Sequence, residues 1–173
     1  MSISLVLGGA RSGKSRYAEN LAKATTKPVV YIATAEIRDE AIQARVALHQ
    51  AERPAHWRTV ESPLQLADTL KQYAAPGTIL LVDCLTMWVT NLLCTEQEVD
   101  IQAEIQAALQ AMVTLPGEII LVSNEVGMGI IPMGSLTRDY VDTAGRLHQD
   151  IAQIADRVVL VVAGLPMAFK GKV

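Results

Sequence analysis

Five short runs of apolar residues punctuate the chain, at residues 3–7 (ISLVL), 29–34 (VVYIAT), 79–83 (ILLVD), 119–123 (IILVS) and 158–163 (VVLVVA). They are rich in β-branched side chains and scarcely alternate with polar ones, the pattern of strands covered on both faces. Helical spacing fills the intervals. Residues 15–24 follow a glycine turn, and residues 36–50 set Ile37, Ala41, Ala44 and Leu48 on one stripe. Residues 63–73 begin with Pro63 behind Ser62 as N-cap. Residues 86–93, 101–113 and 136–155 complete the helices. This alternation predicts a mostly parallel α/β sheet with helices on both faces, formed by a single domain over residues 1–173.

Two stretches depart from the pattern. Residues 51–61 (AERPAHWRTVE) are polar and contain Pro54, which suits a chain leaving a helix for an edge strand. Residues 124–135 (NEVGMGIIPMGS) hold three glycines and a proline directly after a buried strand. In an open α/β sheet, loops at the carboxyl ends of strands are where ligands bind.

The first apolar run leads into Gly8, Gly9, Ala10, Arg11, Ser12, Gly13, Lys14 and Ser15, which satisfies G-x-x-x-x-G-K-[ST] between a strand and a helix. The glycines let successive backbone N–H groups point at phosphate oxygens, and the positive end of the following helix faces the same anion. Lys14 adds a charge near the β- and γ-phosphates, and the Ser15 hydroxyl can ligate Mg²⁺. Asp83, ending the run ILLVD, is the second magnesium candidate. These features predict a P-loop nucleotide-binding protein. The N-K-x-D signature that reads guanine in regulatory GTPases is absent.

The totals narrow the setting. The 173 residues are 50% hydrophobic and 19% charged with net charge −3, ordinary for a globular protein and without the basic block that nucleic-acid binding requires. No basic, apolar leader opens the chain, and the longest apolar run (158–169) is interrupted by Gly164 and Pro166. A cytoplasmic protein without a membrane span is expected. Cys84 and Cys94 lie outside any metal-ligand spacing and read as reduced core thiols.

Three histidines are candidates for chemistry. His148, in AGRLHQDIAQIAD, and His56, beside Trp57, suit structural roles. His49 has Arg45 one turn before it and Arg53 one turn after, if the helix extends that far, which would set two guanidiniums and an imidazole on one face. Such a setting attracts phosphate and keeps the imidazole neutral and nucleophilic. It also suits a solvated histidine in a charged helix end, and spacing alone leaves both readings open.

The segments GGARSGKSRYAE, YIATAE, RVALHQAERPAHWRTVE, LLVDCLTMWVTNLL and VSNEVGMGIIPMGSLTRDYVDTAGRLHQDIA resemble, in order, the bifunctional adenosylcobinamide kinase/adenosylcobinamide-phosphate guanylyltransferases of cobalamin assembly. The resemblance covers nearly the whole chain and implies a RecA-like P-loop fold. It implies two reactions: ATP or GTP phosphorylates the aminopropanol hydroxyl of adenosylcobinamide, and GTP then delivers GMP to that phosphate, releasing pyrophosphate and giving adenosylcobinamide-GDP. His49 matches the family's histidine that carries GMP as a phosphoramidate. Gly8 to Ser15 match the phosphate loop. Ala33, Thr34 and Ala35 match a segment lining the nucleotide site, Gln50, Ala51, Glu52, Arg53 and Glu61 match positions contacting the guanine nucleotide, and Asp83 matches the acidic position after the third strand. A homotrimer with sites near subunit boundaries is implied too. Two departures stand out: Leu48 replaces a histidine found in some members, and Met133-Gly134 follow Pro132 where acidic or amide residues are usual. A simple P-loop kinase without guanylylation, and a nucleotide-dependent assembly or switch protein, are the competing readings.

Overall fold

The computed structural model describes residues 2–36 and 53–173. Among them a seven-stranded sheet runs in the order β3-β2-β4-β5-β1-β6-β7. The strands are β1 (Ser2–Gly8), β2 (Val29–Ala33), β3 (Arg58–Glu61), β4 (Ile79–Asp83), β5 (Glu118–Asn124), β6 (Arg157–Val162) and β7 (Leu165–Lys170). Every pairing is parallel except that of β6 with β7. The helices among the described residues are α1 (Lys14–Lys23), α2 (Leu66–Tyr73), α3 (Leu85–Cys94), α4 (Ile101–Thr114) and α5 (Ser135–Ile154).

Period-two alternation along the strands separates two cores. Ile3, Leu5, Ile32, Leu80, Val82, Ile119 and Leu121 pack with Leu70 of α2, Trp88 of α3, Met112 of α4 and Ile151 of α5. Val6, Tyr31, Leu81, Val122 and Val159 face the other way, onto Ala18 and Ala22 of α1 and onto Trp57. Both faces are covered, as continuous apolar strands require. No helix among the described residues is long and apolar enough to cross a membrane.

The expected edge strand is present as β3, parallel to β2. The helix expected over 36–50 falls, apart from Glu36, on residues 37–52, which lie outside the described residues. Two expectations are corrected. α2 starts at Leu66 with Gln65 in the N-cap position, while Ser62 is buried and accepts a hydrogen bond from Thr69 Oγ1 (2.8 Å). Cys94 is exposed rather than in the core, whereas Cys84 is buried. The chain also turns back after β6 through Ala163 (φ 51) and Gly164 (φ 80) into the antiparallel β7, an element for which the sequence raised no expectation. Positive φ at both central residues is what a type I′ two-residue hairpin loop demands.

Candidate active site

Parallel strands bring their carboxyl ends to one edge of the sheet, so the loops following β1, β2, β4 and β5 gather there. β1 hydrogen-bonds to β5 on one side and β6 on the other. Residues 9–13 leave it in a tight turn in which Ser12 N–H donates to Gly9 O (3.2 Å). Gly13 sits at the N-cap of α1 with φ 93, a left-handed conformation that disfavours a Cβ. α1 has no side-chain cap and no acidic residue in its first turn, which leaves its positive end uncompensated. Lys14 is buried and its Nζ donates to Gly9 O (3.1 Å), folding the ammonium over the loop. The Ser12 hydroxyl is buried without a hydrogen-bond partner. An anion in the turn suits that donor set.

The loop is braced from both flanks. Glu125 N–H donates to Gly8 O (3.0 Å) from the end of β5. Gly164 N–H, in the β6–β7 turn, donates to Ser12 O (2.8 Å), and the Gly164 Cα would lie 3.2 Å from a Cβ built on Gly13. The hairpin is thus a wall of the phosphate loop.

On the far side, register aligns Ala33 with both Glu61 and Asp83. Thr34 is wholly buried; its hydroxyl donates to Cys84 O (2.7 Å) and accepts from Cys84 N–H (2.8 Å), clamping the turn after β4. Asn91 Nδ2 donates to Thr34 O (2.7 Å). Asp83 is half-buried at the strand end, where its Oδ2 accepts from the Tyr31 hydroxyl (3.0 Å). Burial, reinforced by the Asp83 carboxylate, pushes the Tyr31 phenol far up, so it stays a donor. The Arg53 guanidinium stacks on the Tyr31 ring, 3.4 Å from its centre, and Arg53 Nε and Nη1 are buried without hydrogen-bond partners. Burial and then Asp83 also push the Cys84 thiol up, with Lys14 acting in the opposite sense.

The structure brings together the loop from Gly8 to Ser15, the Ala33–Thr34–Ala35 segment, Arg53, Glu61 and Asp83 along one sheet edge. His49, Gln50, Ala51 and Glu52 lie outside the described residues. His56 is exposed. His148 Nε2 lies 2.7 Å from the Ser123 hydroxyl; burial lowers its pKa, while Glu125 acts to raise it. It ties α5 to β5, a structural part in keeping with its sequence setting. Sequence reasoning passed over Tyr31 and Gly164. A lone tyrosine in an otherwise aliphatic buried strand, and a glycine closing a β-branched run, were the available signals.

Residues 4–169 match the family model of cobinamide kinase/cobinamide phosphate guanyltransferase. The chain belongs to this family. A bifunctional adenosylcobalamin biosynthesis protein, CobP of Pseudomonas aeruginosa, is 55% identical over 168 residues, 97% of each chain. A bifunctional adenosylcobalamin biosynthesis protein, CobU of Salmonella typhimurium, is 44% identical over 179 residues, 96% of this chain and 98% of that one. Among solved structures, a type III secretion system ATPase aligns over 96% of this chain and 56% of its own (TM-score 0.52, 11% identity). The RadB recombinase aligns over 92% and 73% (TM-score 0.51, 14% identity). At such identities these neighbours speak for the RecA-like P-loop fold alone, which the family member shares.

Proposed function

We propose that this chain performs both family reactions at one nucleotide site in a single domain, with His49 as the covalent carrier of GMP. The chain is a bifunctional enzyme of cobalamin biosynthesis that phosphorylates adenosylcobinamide and guanylylates the product, using ATP and GTP as nucleotide substrates. In the first step the terminal phosphoryl group of the triphosphate passes to the aminopropanol hydroxyl and the nucleoside diphosphate leaves. Lys14 and the N–H groups of the turn hold the phosphates and stabilise their growing charge. In the second step a neutral His49 nitrogen attacks the α-phosphorus of GTP, the α–β anhydride breaks, and pyrophosphate departs. An oxygen of adenosylcobinamide phosphate then displaces the histidine, giving adenosylcobinamide-GDP and restoring the imidazole.

The observation that carries the reading is the braced phosphate turn opposite a row of Ala33, Glu61 and Asp83, with Arg53 beside it. Gly9, Ala10, Arg11, Gln50, Ala51 and Glu52 complete the assigned nucleotide contacts. Ser15 and Asp83 are oxygen donors that would hold Mg²⁺. Among the described residues no cluster of three His, Cys, Asp or Glu forms a metal cage, which suits an ion held largely by phosphates and water. When bound, the ion neutralises charge developing on the transferring phosphates.

The acceptor is a corrinoid. A cleft of about 270 Å³ lined by Val126, Gly129, Ile130, Ile131, Pro132 and Arg138 offers apolar surface beside the loop after β5. A homotrimer belongs to the same reading; bare apolar side chains outside that cleft, among them Met133 at 96% and Leu165 at 72% exposure, offer surface for subunit contact. A cytoplasmic setting suits these soluble substrates.

Incubation with α-labelled GTP tests the central step. The native enzyme should acquire acid-labile, alkali-stable label, and His49→Asn should acquire none and lose guanylyl transfer while keeping kinase activity. Label persisting in His49→Asn would move the nucleophile elsewhere. An unlabelled native protein would leave a simple kinase as the better reading.

A further inference from the structure

We propose that Tyr31 is a positioning residue that holds the Asp83 carboxylate in the orientation the phosphate site uses; the inference rests on the assignment of Asp83 to the magnesium shell. Tyr31 pairs with Leu81 across β2 and β4, while Ala33 pairs with Asp83. Tyr31 and Asp83 therefore lie on the same face as diagonal neighbours, at a separation that long side chains can span. The phenol does span it, its hydroxyl donating to Asp83 Oδ2 at 3.0 Å.

The ring itself cannot shift easily. It is 2% exposed and sits in the core with Ala18, Ala22 and Trp57, and the Arg53 guanidinium covers it at 3.4 Å. A ring held on all sides delivers its hydroxyl to a fixed point. An aspartate at a strand end otherwise rotates among staggered positions. Fixing Oδ2 by a donor leaves Oδ1 and the remaining lone pair of Oδ2 to accept from metal-bound water. Packing alone would be met by phenylalanine, so the hydroxyl is the part that acts on the site. The same ring also joins Asp83 to Arg53, the last residue of the assigned guanine-nucleotide segment 50–53.

Tyr31→Phe keeps the ring and the Arg53 stack and removes only the hydroxyl. A fluorescent GTP analogue is titrated against the full-length protein at increasing Mg²⁺ and, separately, in EDTA; thermal unfolding is followed in parallel. The Mg²⁺ concentration for half-maximal binding should rise about 10-fold, as loss of a hydrogen bond to a charged group implies. Affinity in EDTA should stay near that of the native protein, and the unfolding temperature should fall by only a few degrees, the cost of one hydrogen bond. Asp83→Asn should raise the Mg²⁺ requirement as well, and Tyr31→Phe should add nothing in that background, since it acts through Asp83. A normal Mg²⁺ profile in Tyr31→Phe beside an impaired Asp83→Asn overturns the role of Tyr31 alone. So does an effect of Tyr31→Phe that persists undiminished in the Asp83→Asn background. A normal profile in Asp83→Asn overturns the magnesium assignment beneath it.

Discussion

Gly8 and Gly9 are adjacent in the same motif, yet the structure gives them different tolerances. A Cβ on Gly8 would overlap the Ser12 hydroxyl and lie 2.6 Å from Val161 O, the carbonyl of its partner residue in β6. The serine can rotate; the strand carbonyl cannot. The overlap is about 0.8 Å short of ordinary contact at 3.4 Å, so either β6 or the start of the phosphate turn must move by that much. Overpacking of this kind costs about 1–3 kcal/mol. For a chain of this size that is a fall of roughly 2–12 °C in unfolding temperature. A turn displaced by nearly 1 Å also loses alignment with the phosphates, which costs on the order of 100-fold in rate. A Cβ on Gly9, by contrast, meets nothing within 4 Å. Gly8→Ala should therefore lower both the unfolding temperature, read by scanning fluorimetry, and the rate of both reactions, whereas Gly9→Ala should unfold within 1 °C or so of the native protein, about the noise of the method. Equal unfolding temperatures for the two variants would refute the reasoning.

Two further outcomes follow from the geometry. Lys14→Ala should slow kinase and guanylyltransferase steps together by about 100-fold or more, the scale of losing one preorganised charge on a transferring phosphate; full guanylylation without kinase activity would require two nucleotide sites. His148, with its pKa lowered by burial from an ordinary 6.5, binds a proton more readily unfolded than folded, so its contribution lowers stability as pH falls below about 6.5. Denaturant unfolding of His148→Gln between pH 8 and 5 should show a shallower decline than the native protein, and parallel profiles would count against a buried neutral imidazole.

The central strands were legible because burial on both faces imposes an unbroken apolar run. β7 was not, for its residues Leu165, Met167 and Phe169 are exposed and carry no core signal. Its existence depends on Ala163 and Gly164 taking positive φ, which a β-branched run does not announce. The start of α2 was misplaced for a related reason: Ser62 and Pro63 offer a local start, but the Ser62 hydroxyl is engaged by Thr69. In the site, the phosphate turn was readable because its spacing is local. Tyr31 with Asp83, and Gly164 with Ser12, join residues 52 and 152 positions apart, and only sheet register makes them neighbours.

The hairpin that walls the phosphate turn bears on the order of events during synthesis. The motif at residues 8–15 leaves the ribosome first, but β1 finds its two partner strands only when Glu118–Asn124 and Arg157–Val162 have been made. Asp156 closes a pair of hydrogen bonds with Ile3 (2.8 and 2.9 Å), and Gly164 braces Ser12 later still. Contacts of such long sequence separation form late, after the entropy of closing the intervening chain has been met. A nascent chain emerged as far as residue 150 would carry the entire glycine motif and neither its second flanking strand nor its outer wall. The phosphate turn is therefore expected to reach its braced form only after Gly164 has been made, so a chain released at residue 150 should bind nucleotide more weakly than the 173-residue chain.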